Sequence, residues 1–138
     1  MNELRTDREL LKGIYEMYNA SYTSGTKEIR AGPYVPVDVQ AIAERLNCKA
    51  DIVFGRLYYH LDEKHRYKQE SGAHVHLFHI NVAGKGHVVH FPYLVAILAS
   101  LEQEHRRRFW ALAFSVLALV VSITSPITNI ATSMVGKH

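Results

Sequence analysis

From residue 109 to residue 136 the chain contains no Asp, Glu, Lys, Arg or His, although acidic and basic residues are frequent everywhere before it. A helix needs about 20 mostly apolar residues to cross a hydrocarbon core of about 30 Å. Residues 109–128 (FWALAFSVLALVVSITSPIT) meet that length. A soluble core helix of this kind would need a layer packed around it on every side, and the preceding hundred or so residues cannot supply one while building a core of their own. The segment is therefore expected to lie in lipid.

The flanks agree with that expectation. Arg106, Arg107 and Arg108 stand directly before the segment and outweigh the single Lys137 after it. Excess Lys and Arg mark the cytoplasmic flank, so the chain is expected to be a single-pass membrane protein with its N-terminal part in the cytoplasm. Phe109 and Trp110 fall where aromatic rings anchor a helix at the interface. The membrane lipid is thus the first expected partner, with the three arginines against anionic headgroups at about 1 kcal/mol each. Ala111 and Ser115, and Ala118 and Ser122, are small residues four apart that allow two helices to approach closely, which points to a homo-oligomer. The polar residues Ser122, Thr124, Ser125, Thr128, Asn129, Thr132 and Ser133 read either as a pore lining or as a helix end nearing the far headgroups. The second reading is the simpler one, because hydroxyls bond to carbonyls within their own helix.

The formal charge of +3 says little about partners. Twelve basic residues precede position 106 against all thirteen acidic ones, a balance of −1, so the folded part has no broadly basic surface. Cys48 is the sole cysteine, which excludes an intrachain disulfide and fits a reducing compartment. The charged N-terminus lacks the apolar stretch of a secretory signal.

Before the apolar segment the pattern alternates helix and strand. Thr6 or Asp7 caps a first helix with Leu10, Leu11, Ile14, Tyr15 and Tyr18 as its stripe. Residues 21–36 hold Gly and Pro and read as a loop or short strand. Asp38 opens a second helix with Val39, Ile42, Ala43 and Leu46 inward. A third starts near Ala50, with Val53, Leu57 and Leu61 at i, i+4 and i+8. Residues 74–80 (HVHLFHI) and 87–91 (HVVHF) are β-rich runs that predict a hairpin. Pro92 then suits the first turn of a fourth helix with Leu94, Ile97, Leu98 and Leu101 buried, and no Gly or Pro stops it before Ser125.

The run Ile42-Ala43-Glu44-Arg45-Leu46-Asn47-Cys48, followed by Val53 and Leu57, resembles the helix-turn-helix of winged-helix domains. Ala43 takes the small position where two helices cross, and Cys48 the apolar position in the turn. Asn47 stands where a glycine is common. The resemblance covers roughly residues 6–104 and implies an α+β, winged-helix-like domain of three to four helices with a β-hairpin wing, over 1–105. The C-terminal transmembrane anchor occupies 106–138.

The same resemblance implies that a nucleic acid or another partner would meet Lys49, Arg56, Tyr59, His60 and Lys64 on the third helix and Lys85 at the wing tip. Asp51 and Asp62-Glu63 oppose phosphate there, and Asp62-Glu63 read as a solvated helix end. The near-neutral domain favours a non-enzymatic interaction or oligomerisation module on the cytosolic face. The alternative is a membrane-tethered DNA-binding regulator, and a pore-forming effector is a variant of the first. His74, His76, His79, His87 and His90 crowd two strands and invite zinc or a pH response. The usual CxxC and HxxxH spacings are missing, so no metal or cofactor is assigned. No glycine-rich phosphate loop or Gly-x-Ser-x-Gly suggests catalysis.

Overall fold

The computed structural model describes residues 6–24, 32–80 and 86–136, with the side chains of 125–133 outside the description. Lys85 also lies outside the described residues. Two compact units result, Met1–Ser100 and Leu101–His138. The first is α+β.

Helix α1 (Asp7–Thr23) begins in a reciprocal cap: the Thr6 hydroxyl accepts the Glu9 N–H at 3.2 Å, and the Glu9 carboxylate accepts the Thr6 N–H at 2.8 Å. Its buried face is Leu10, Leu11, Gly13 and Ile14. A Cβ at Gly13 would lie 2.9 Å from Leu46 Cδ2 at the crossing with the next helix, so a larger residue there would force the Leu46 side chain to move. Strand β1 (Tyr34–Val37) buries Val35 and Val37. Helix α2 (Val39–Leu46) is capped by Asp38, whose carboxylate accepts the N–H groups of Gln40 and Ala41 at 2.8 and 3.2 Å. The turn that ends α2 places Asn47 at φ 53°, the left-handed conformation that glycine usually supplies. Asn tolerates that conformation better than most residues, which explains its presence in the glycine's place.

The third helical stretch is not uniform. Helix α3 (Ala50–Gly55) passes into a π-helical segment (Arg56–Asp62) and then a short α4 (Glu63–His65). Val53, Leu57 and Leu61 are all buried, as their spacing predicts. The wider π turn adds Asp62 to the buried face at 3% exposure. The expectation of a solvated Asp62 is thereby corrected.

Asp62 also reshapes the strands. One of its oxygens accepts the N–H groups of Leu77 and Phe78 at 2.8 and 3.2 Å, drawing the chain onto the π-helical segment midway through the run HVHLFHI. The expected single hairpin is consequently divided. Strand β3 (His74–Val75) pairs with β2 (Tyr67–Lys68), and only β4 (Phe78–His79) pairs with β5 (His87–His90). Strand β1 adds to the other side of β5, so the sheet runs β1-β5-β4, antiparallel throughout. Phe78, Val88 and Val89 of this sheet are buried.

Helix α5 spans Phe91–Val135. In its first turns Phe91, Leu94, Ile97 and Leu98 are buried, with the Phe91 ring against Tyr15 and Tyr22 of α1. Phe91–Thr124, which includes these turns, is the one stretch among the described residues long and apolar enough to cross a membrane, and none of its most apolar window is buried.

Candidate functional site

The third helical stretch carries most of the residues expected to make contacts, and the structure sorts them. Arg56, His60 and Lys64 are four residues apart and converge on Asp7 in the first turn of α1. The Arg56 guanidinium donates to Asp7 Oδ1, His60 Nε2 lies 3.0 Å from Oδ2, and Lys64 Nζ lies 3.9 Å from it. Burial alone would raise the Asp7 carboxyl above its ordinary value, but the bonds and charges of Arg56 and His60 outweigh it and hold the group below. Arg56 is the most enclosed of the three, with a quarter of its side chain exposed. Lys49, at the start of α3, is exposed, and so is Tyr59 at 73%.

Between the π-helical segment and β4 opens a pocket of about 520 Å³, lined by Tyr58, Tyr59, Asp62, Glu63, Arg66, His76, Phe78, His79 and Ile80. Its charges are satisfied among themselves. His76 Nδ1 lies 2.9 Å from Asp62 Oδ2, and Arg66 pairs with Glu63 while approaching Asp62 at 3.8 Å. Beside the exposed Glu63 and Arg66, aromatic and apolar side chains also face outward. The rings of Tyr58 and Tyr59 meet edge-on with centroids 4.9 Å apart, both against Phe54, and Ile80 is 42% exposed. Sequence reasoning found Tyr59 but missed Tyr58, Ile80 and Asp62. Nothing local distinguishes Asp62 from Glu63 in HLDEKH; only the five-residue turn turns one inward.

The histidines are dispersed into ring contacts. His76 and His79 stand 4.4 Å apart by centroid, His87 stacks on Phe78 at 5.5 Å, and His90 meets the edges of Tyr34 and Tyr93. His79 is held below the ordinary histidine value by burial first and then by His76, with Asp62 opposing. Among the described residues no group of three His, Cys, Asp or Glu is placed to hold a metal ion.

In the second unit Phe109 and Trp110 are exposed, at 64% and 58%, with ring centroids 6.3 Å apart. Arg106, Arg107 and Arg108 precede them in the helix, all exposed, and Arg108 is tied to Glu104 one turn back. Ala111, Ser115, Ala118 and Ser122 are exposed in this single chain. The Ser115 and Ser122 hydroxyls donate to the carbonyls of Leu112 and Leu119, each at 2.8 Å, and so neutralise their own polarity inside an apolar helix. Neither a known protein family nor a curated protein nor a solved structure matches this chain.

Proposed function

We propose that this chain is a membrane-anchored interaction protein: a winged-helix-like domain on the cytosolic face that binds another protein through its Tyr58–Tyr59 surface. The helix pair closed at Asn47, followed by a hairpin whose inner strand also pairs with β1, supports the winged-helix reading. The three arginines before the apolar segment support the cytosolic orientation. The small pairs Ala111–Ser115 and Ala118–Ser122 support self-association of the anchor.

One observation carries the choice of partner. Arg56, His60 and Lys64, three of the basic side chains that would meet DNA along the third helix, are drawn to Asp7, and the same stretch presents tyrosines to solvent. Tyrosine is enriched in protein interfaces because a large, stiff ring buries area at little entropic cost, whereas DNA contact rests on free Lys and Arg.

A photo-crosslinking residue at position 59 of the full chain in native membranes should trap a discrete protein adduct, which Tyr58→Ala should abolish. Detergent-solubilised protein should not retard duplex DNA. Retardation that weakens steeply with salt and is lost in Arg56→Ala would overturn the proposal in favour of a tethered regulator. For the anchor, Ala118→Leu with Ser122→Leu should remove helix-driven crosslinks; unchanged crosslinks would exclude that interface.

A further inference from the structure

The start of helix α5 depends on a histidine in one protonation state. A helix leaves its first N–H groups without partners inside the helix, and each must be met from outside. Here the Phe91 N–H donates to the Pro33 carbonyl at 2.9 Å, Pro92 has none to satisfy, and the Tyr93 N–H donates to His90 Nδ1 at 3.2 Å. His90 immediately precedes the helix and does what Ser, Thr, Asp or Asn does at an N-cap. A ring nitrogen accepts a hydrogen bond only while it is unprotonated, so this bond requires the neutral ring with its proton on Nε2.

We propose that His90 is a proton-sensitive cap on helix α5: its neutral ring closes the first turn through Nδ1, and protonation removes that acceptor and releases the turn. Two further effects act in the same direction. The charge of the imidazolium falls at a helix N-terminus, where the peptide dipoles oppose a cation. Among the described residues, the groups around it offer no counter-ion. Tyr34 of β1 meets the His90 ring edge-on at 5.0 Å, and Tyr93 at 6.0 Å. His79 of β4 packs on the same Tyr34 ring from 5.9 Å. The Tyr93 hydroxyl donates to the His65 carbonyl, the Tyr67 ring of β2 abuts Tyr93, and His65 Nε2 is buried with no hydrogen-bond partner among the described residues. Asp62, the carboxylate whose charge reaches Tyr34 and Tyr93, is occupied by Leu77, Phe78 and His76.

Burial holds His90 below the ordinary histidine value, partly opposed by a backbone hydrogen bond of His90 itself. The neutral cap is therefore complete above about pH 6.5 and is lost as pH falls below that, through the lower value of the folded protein. Because α5 is the helix that carries the apolar span, the device acts on the element that joins domain and anchor in the chain.

The test is amide hydrogen exchange on the full chain in detergent micelles, with rates corrected for intrinsic pH dependence. Between pH 7.5 and pH 5.0, exchange of residues 91–96 should rise about fivefold, the effect of losing one cap. In His90→Asn, which accepts at either pH, the rise should fall below twofold. An equal rise in wild type and His90→Asn would overturn the proposal and assign the response to other histidines. Nitrogen NMR of the wild-type imidazoles gives a second readout that needs no variant. A His90 proton on Nδ1 at pH 7.5 would equally overturn the proposal.

Discussion

Asp62 is satisfied inside the fold: it accepts from two backbone N–H groups and meets the His76 ring, with Arg66 as a more distant ion-pair partner at 3.8 Å. Removing it leaves buried donors with no acceptor, which is more costly than losing the bonds themselves. Asp62→Ala should destabilise the domain by about 3 kcal/mol in thermal or urea unfolding, while exposed Glu63→Ala should cost less than about 1 kcal/mol. Asp7 works at the surface and its effect is smaller. Its carboxyl is held below the ordinary aspartate value of about 3.9 in the folded chain, so its stabilisation is full above that pH and is lost as pH falls through the folded value. Asp7→Asn should cost about 1 kcal/mol at pH 7 and progressively less as pH falls through the folded value. It also removes the negative charge on which Arg56, His60 and Lys64 converge, so weak, salt-sensitive DNA retardation in this variant alone would show that the Asp7 charge holds them back.

At the scale of elements, two irregular turns position the proposed contact face. The αL turn at Asn47 sets how α3 leaves α2, and a side chain with a Cβ pays for φ 53° unless it is Asn or Asp. Asn47→Ala should lower stability by about 1 kcal/mol, and Asn47→Gly should be neutral or better. The π-helical segment widens the third helical stretch so that Leu57, Leu61 and Asp62 all point inward and Tyr58, Tyr59 and His60 outward. An ordinary helical spacing would have placed the next buried residue after Leu61 at 64 or 65. This is why the apolar triad of the stretch was readable from its spacing and the buried aspartate was not.

The molecule as a whole should respond to acid and to charge in its apolar segment. His65, His79 and His90 are each held low by burial, so below about pH 6.5 the folded chain binds fewer protons than the unfolded one. Stability should be flat from pH 8 to 7 and decline below about 6.5, by at most about 1.4 kcal/mol per pH unit for each histidine. A melting temperature unchanged between pH 7.5 and 5.5 would contradict this. In the second unit Val120 is exposed near the middle of the apolar stretch. Val120→Arg should oppose insertion by about 3 kcal/mol and move protein from the membrane pellet toward the soluble or aggregated fraction.

The features legible in the chain alone were those set by local periodicity and end chemistry. The uncharged run after Arg108, the caps at Thr6 and Asp38, the i, i+4 stripes of α1 to α3 and the proline-led start of α5 depend on neighbours within a few residues. The tertiary structure decided how distant groups share partners. It gave Arg56 and His60 to Asp7 across some fifty positions of chain, bent the strand run at Leu77 toward Asp62, and set β1 beside β5. The same holds for the charges: their balance was countable in the sequence, but which were spent internally depended on packing. A hydrogen bond or ion pair between remote residues leaves no periodic trace, so its location appears only when the chain has folded around it.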